Sequence, residues 1–364
     1  MKKTKKSSIF TTIILILILG LTIGTLIFLS LSLSSLNTLR DLNQSLDLDS
    51  PKYNNTSLVI QDPRRVYISQ DLKIDETLNY LNESVVGIFL KNEKDSYSLG
   101  EELFSGLVIS SDGWVMVNIL GQKDFNLDIV NKIEDYVLVS KKEKKVQEIE
   151  EVLDFSSEGF LLVKIKKATN LPVRNFSNIS DLNPGQTVLL YNFQGELALN
   201  AIKSIDSGED LKFSDQYHSQ INLSQDIDDN FAQAYIFNLS GDLIALINKN
   251  LEVESVHAFR PLIYGFLKNK EMVPLKFGLW YLDLKNVIDP KLPLKGNIVS
   301  RVVAGSLAES SGLIAGDIIT QVNNHEINDK ANFNDVLNNF IPGDKLSIIV
   351  LREGQLMELK VELK

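Results

Sequence analysis

Histidine, the usual general base, is scarce in this chain. Only His218, His257 and His325 occur, and none precedes position 218. Acyl transfer at neutral pH needs a nucleophile, a base within hydrogen-bond reach and a group that orients the base. His218 lies in SDQYHSQ and reads as a surface-loop residue; His257, before AFRPL, reads as structural. His325-Glu326 lacks the second histidine of a zinc-binding helix, so no metal site is expected. There is no cysteine, which removes a thiol nucleophile, a disulfide framework and a thiolate metal site. No glycine-rich phosphate loop is present, and no cofactor is expected. Serines and lysines are plentiful, but no spacing singles out a Ser–Lys pair. The run Lys141, Lys142, Lys144, Lys145 is flanked by acids and reads as a solvated hairpin tip. A net charge of −10 argues against nucleic acid as a partner.

The elements that would hold any site fall into four regions. Residues from Ser7 to Thr38 carry no charge, and Ile9–Leu31 consists only of Ile, Leu, Thr, Gly, Phe and Ser. About 20 apolar residues cross a bilayer core. Lys2, Lys3, Lys5 and Lys6 precede the run and place the N-terminus in the cytoplasm. A cleaved signal peptide has a shorter apolar core and a small-residue cleavage site. The Ser-rich run Ser30–Ser35 speaks for cleavage, but this core is longer and no A-x-A follows. The reading is a cytoplasmic tail (1–8), a retained single-pass anchor (9–34) and a stalk (35–75).

Short β segments follow, broken by turn signals such as Ser111-Asp112-Gly113 and Asn183-Pro184-Gly185. Strands are expected at 85–90, 107–110, 114–118, 136–140, 145–152, 159–165, 187–191, 198–205, 233–238 and 243–248. Helices are expected at 75–82, with Leu78, Tyr80 and Leu81 on one face, and at 260–268. Many short strands with few long helices indicate an all-β barrel or sandwich. The last 90 or so residues have their own pattern: strands at 296–303, 317–322, 345–352 and 357–363, and a helix at 332–340.

Gly296–Gln355 resembles a bacterial PDZ domain. VVAGSLAESSGL is similar to V-x-x-x-S-P-A-x-x-A-G-L, AGDIITQVNNHEI to G-D-x-I-x-x-V-N-G-x-x-I, and FIPGDKLSIIVLREGQ to P-G-x-x-x-x-L-x-V-x-R-x-G. Asp317 fits a turn as an acceptor of local amides. PDZ domains add an extended peptide to a sheet edge and hold its terminal carboxylate on backbone amides. The resemblance places that loop at Phe277-Gly278-Leu279 in PLKFGLWYL, with an apolar pocket from Leu279 and Val336. Each of these apolar residues is equally readable as core.

The middle region resembles the HtrA/Deg proteases. ESVVGIFLKN, FSGLVISSDGWVMVN, GFLLVKI, LNPGQTVLLYNFQG and AYIFNLSGDLIALIN match that family's segments in order. The resemblance implies a mostly β protein: a trypsin-like double β-barrel (76–270), then a PDZ domain of α+β, partly open-barrel form (271–364), behind an N-terminal transmembrane helix. It also locates the triad. The histidine position holds Leu120, the aspartate position Gly159 with Glu158 beside it, and the serine position Ala232. Asn230, Gln233 and Ala234 stand near or at glycine positions that shape the oxyanion hole, and their side chains argue against that geometry.

The expectation is a pseudoprotease with no catalytic residues. It would be a single-pass bacterial inner-membrane protein whose bulk is extracytoplasmic. It would bind peptide or protein C-termini as an adaptor or regulator in envelope protein quality control, as a homotrimer or beside an active paralogue. Two alternatives stay open: a serine endopeptidase with a non-standard active site, and a structural oligomeric scaffold.

Overall fold

The computed structural model describes residues 70–122, 128–206, 208, 210–217, 219–270 and 272–364. The expected tail, membrane anchor and most of the stalk, and also His218, lie outside the described residues. Among the described residues no helix is long and apolar enough to cross a membrane.

Helix α1 spans Gln70–Ser84, so it begins inside the expected stalk. Its buried stripe is Ile74, Thr77, Leu81 and Ser84, not Leu78 and Tyr80. The spacing of three, four and three residues lines up one helical face. Thr77 Oγ1 satisfies its burial by donating to the Leu239 carbonyl at 2.6 Å.

Six strands then close a barrel: β1 (Val85–Leu90), β2 (Phe104–Val108), β3 (Trp114–Asn118), β4 (Tyr136–Ser140), β5 (Lys145–Phe155) and β6 (Phe160–Ile165), in the order β1-β2-β3-β6-β5-β4. A short helix α2 (Asp128–Asn131) precedes β4. The barrel shuts because β1 also pairs antiparallel with β4, Val86 facing Ser140. Strand β3 shows why the sequence alternates two apolar sets. Val115 and Val117 fill one core with Ile88, Leu138, Leu161 and Val163. Trp114 and Met116, on the opposite face, join Phe160, Leu162, Tyr235 and Phe237 in a second core. A period of two presents alternate residues to opposite faces, and here both faces are covered.

The second sheet has six strands in the order β10-β8-β7-β11-β12-β13. They are β7 (Thr187–Tyr191), β8 (Leu197–Asp206), β10 (Gln220–Leu223), β11 (Tyr235–Asn238), β12 (Leu243–Ile247) and β13 (Val253–Ser255). Edge strands β10 and β13 approach one another without forming a ladder, so this half is an almost closed barrel rather than a closed one. Leu189, Tyr191, Tyr235, Phe237, Leu243 and Leu246 turn toward the first barrel and form the core between the two halves. Helix α3 (Arg260–Asn269) packs Phe266 edge-on to Trp114, with ring centres 4.8 Å apart. Losing such a buried indole costs about 3–5 kcal/mol.

The C-terminal part contains β14 (Leu279–Asp283), β15 (Asn297–Val302), α4 (Leu307–Ser310), β16 (Ile318–Val322), β17 (His325–Glu326), α5 (Phe333–Leu337), β18 (Lys345–Arg352) and β19 (Gln355–Glu362). Helix α5 is shorter than the expected 332–340. Asn332 caps it, accepting from the amides of Asn334 and Asp335, and the Asp335 carboxylate bonds back to the Asn332 amide at 2.9 Å. Phe340 lies beyond the helix and still packs against its core. One strand of this sheet is foreign to it. Strand β9 (Leu211–Phe213), from the excursion between β8 and β10, pairs antiparallel with β14 and gives the order β19-β18-β16-β15-β14-β9.

Candidate functional site

The four residues expected at the peptide groove come together at β14 and α5. Phe277, Leu279 and Val336 are buried in one cluster with Tyr281, Phe333 and Leu337. Their side chains are core; what Phe277, Gly278 and Leu279 present is backbone. Gly278 has φ +81°, and a Cβ there would stand 2.3 Å from the Ser306 Cβ. Only glycine permits that turn, and the turn points three successive amides the same way.

All three amides are occupied. Phe277 N and Gly278 N donate to Asp215 Oδ1 at 2.8 and 2.7 Å, and Leu279 N donates to Ser214 Oγ at 2.8 Å. The Ser214 amide donates to the Leu279 carbonyl at 2.8 Å, continuing the ladder in which Phe213 faces Trp280 and Leu211 faces Leu282. The Phe213 ring stacks on Trp280 with centres 4.8 Å apart. Lys212, opposite Tyr281, is fully buried. Burial holds its ammonium below the ordinary lysine range, with Asp283 opposing that shift. From the helix side, Asn334 Nδ2 donates to the Phe213 carbonyl at 3.1 Å and to the Gln216 carbonyl, and Ser219 Oγ donates to Asp335 Oδ1 at 2.8 Å. Burial raises the Asp335 carboxyl above its usual range.

The three triad-matched positions lie in the first two sheets. Leu120 follows β3, and Gly159 ends the turn before β6 with φ +88°. They abut: a Cβ on Gly159 would sit 2.1 Å from Leu120 Cδ2. Ala232 ends a 3-10 turn at Asp229–Phe231. The next residue, Gln233, keeps a left-handed φ of +64° although it is not glycine. Its Nε2 donates to the Asn118 carbonyl at 3.2 Å, and Asn118 Nδ2 in turn donates to the Ala234 and Ile247 carbonyls. Gln233 thus holds a left-handed backbone with its side chain bonded across to the end of β3. None of Leu120, Gly159 or Ala232 carries a group that can move a proton.

The PDZ domain family matches residues 282–363. Over 286 residues the chain is 26% identical to serine protease HTR4 of Bos taurus, covering 71% of this chain and 56% of that protein. Over 285 residues it is 25% identical to a probable periplasmic serine endoprotease DegP-like of Hahella chejuensis, covering the same 71% and 56%. The chain thus spans little more than half the length of these curated relatives. The chain is similar to HtrA/Deg-type serine proteases over most of its length and matches the PDZ domain at its C-terminal end. Among solved structures, the HtrA-type protease AlgW with decapeptide superposes with a TM-score of 0.42 at 14% identity, covering 80% of this chain and 98% of that one.

A cavity of about 300 Å³ adjoins Ala232, lined by Glu102, Ser105, Asn192, Gln194, Asn230 and Gln233 among others. Glu102 was not singled out by its sequence. Burial pushes its carboxyl up to about 7, against the opposing hydrogen bonds from Ser105 and Gln194. Ser105 Oγ donates to Glu102 Oε1 at 2.8 Å. His257 is buried beside Ser255, its Nδ1 2.9 Å from the Ser255 hydroxyl. Burial, with Arg260 adding to it, depresses its pKa to about 3, so its ring is neutral at physiological pH. His325 is exposed, its ring edge-on to Phe340. Asp317 accepts from the Ile314 amide, as its turn requires, and also pairs with Arg352 through two bonds of 2.7 Å.

Ser214, Asp215 and Asn334 are the groove residues that sequence reasoning missed. LKFSD has neither a long apolar alternation nor a motif. Strands were expected at 198–205 and next at 233–238, so neither β9 nor β10, which lie between them, was foreseen.

Proposed function

We propose that this chain is a membrane-anchored, extracytoplasmic pseudoprotease that works by binding rather than by cleavage. The observation that carries the reading is a contrast between two sites. The PDZ loop keeps three convergent amides at Phe277, Gly278 and Leu279, the arrangement that captures a terminal carboxylate. The triad-matched positions hold Leu120, Gly159 and Ala232, which supply neither nucleophile nor base. The PDZ domain would take up free C-termini of envelope proteins, in an adaptor or regulatory role in quality control, as a homotrimer or beside an active relative. The anchor rests on the uncharged run 7–38 behind four lysines. The relative from Hahella chejuensis is named periplasmic, which supports the same compartment here.

A second reading, a working serine endopeptidase, has one observation in its favour. Ser105 is hydrogen-bonded to a carboxylate whose pKa lies near 7, on the wall of the cavity that holds Ala232. Such a carboxylate is suited to act as a base at neutral pH. The named relatives are serine proteases, which keeps this reading alive.

Fluorophosphonate labelling and casein cleavage by the full chain in mild detergent separate the two. The pseudoprotease reading expects neither. Labelling that disappears in Ser105→Ala would overturn it and establish the second.

A further inference from the structure

The PDZ groove is filled by the chain's own segment Leu211–Asp215. That segment occupies both walls of the groove. It extends the sheet along β14, and it is held from α5 by Asn334 on the Phe213 and Gln216 carbonyls. Its end imitates a chain terminus. Two side-chain oxygens, Asp215 Oδ1 and Ser214 Oγ, saturate the three loop amides that a terminal carboxylate would need. The Ser214 hydroxyl donates to Asp215 Oδ1 at 2.7 Å, which fixes the two acceptors as one unit.

We infer that Leu211–Asp215 is an internal ligand, and that a protein C-terminus enters the groove only by displacing it. This rests on the reading of the groove as a peptide site. Two features make the segment a removable occupant. It is an excursion whose ends are pinned by the β8–β10 ladder, where Asp206 faces Gln220. Its departure breaks the β9–β14 pairing and leaves the β8–β10 and β14–β15 ladders intact. Its departure without a replacement is costly, because it leaves the loop amides without their partners, so the open groove is a minor state. A free carboxylate on an extended peptide is the group that replaces both oxygens at once. The tether keeps the segment at high local concentration, so an incoming peptide binds with an apparent affinity reduced by the fraction of open groove.

The ligand class follows from the mimic. It is an extended peptide with a free carboxylate whose last residue makes the amide-to-carbonyl bond that Ser214 makes with Leu279.

The test uses the full chain in mild detergent and a fluorescein-labelled peptide Asp-Leu-Lys-Phe-Ser with a free C-terminus, beside the same peptide as its C-terminal amide. The Ser214→Ala/Asp215→Ala variant should bind the free acid at least about tenfold more tightly than the natural chain. Neither protein should bind the amide. Equal affinity for the free acid in both proteins overturns the internal-ligand inference and leaves the groove a peptide site. Binding to neither overturns the peptide-site reading itself. Hydrogen exchange on the natural chain alone supplies a measurement that needs no variant. The Phe277, Gly278 and Leu279 amides should be protected, and added free-acid peptide should leave them protected while the Ser214 amide becomes exchangeable. Rapid exchange of the three amides without peptide overturns the inference.

Discussion

Replacing Glu102 by Gln makes the natural chain's pH dependence readable at one group. Burial raises this carboxyl from 4.5 to about 7 in the folded protein. Between those values the unfolded chain has released the proton and the folded chain still holds it. The slope of stability with pH is set by protons bound unfolded minus protons bound folded, so it is negative here. The contribution of this group is full below pH 4.5, falls as pH rises through 5 and 6, and levels off above 7. Each unit is worth about 1.4 kcal/mol, which bounds the loss near 3 kcal/mol. Glu102 retains partial solvent contact, and screening trims this to about 2 kcal/mol. Gln keeps an acceptor for the Ser105 hydroxyl and does not ionise. The assay is urea unfolding of the full chain and of Glu102→Gln from pH 4.5 to 8. The difference in unfolding free energy should start near zero and grow to about 2 kcal/mol in favour of Gln. Contributions from other titrating groups cancel in that difference. A difference that is flat with pH would refute the buried, raised carboxyl, and with it the only base that the second reading has.

Gly159→Ala should destabilise by about 2–4 kcal/mol, part from the left-handed φ and part from crowding Leu120. In a Leu120→Ala background only the backbone part, about 1–2 kcal/mol, should remain, so a double-mutant cycle by urea unfolding that finds simple additivity would deny the contact. Arg352→Ala strips the partner from the buried Asp317 carboxylate and should cost about 3 kcal/mol, partly recovered by adding Asp317→Asn; thermal unfolding that shows no loss would deny the pair.

The strands were legible where local alternation decides them. β1, β3, β4, β7 and β18 fall on the expected residues because their apolar sets face packed layers on fixed sides. Helix α1 was legible as a helix but not as a face, since the buried stripe uses Thr77 and Ser84. Thr77 is buried only because a carbonyl of a distant turn accepts from it. The triad-matched positions were read from order along the chain, which does not show that Leu120 and Gly159 abut. Glu102 was not legible, because its pKa depends on a cavity wall assembled from residues near 102, 194 and 232.

Strand β9 marks where reading from sequence stops, for a physical reason. Leu211-Lys212-Phe213-Ser214-Asp215 has the composition of a surface turn: a charge, a hydroxyl and an acid within five residues. In isolation Ser214 and Asp215 would bond to their own turn amides, the usual use of such residues. They bond instead to Phe277, Gly278 and Leu279, because β8 and β10 deliver the excursion to the open edge of β14. The same delivery buries Lys212, a residue type almost never fully buried without compensation. The segment's hold on the groove comes from the amides, the ladder and the stacking of Phe213 on Trp280. The internal occupant is therefore a template for backbone recognition: the bonds it makes to the three loop amides and along β14 are ones that any extended peptide with a free carboxylate can reproduce.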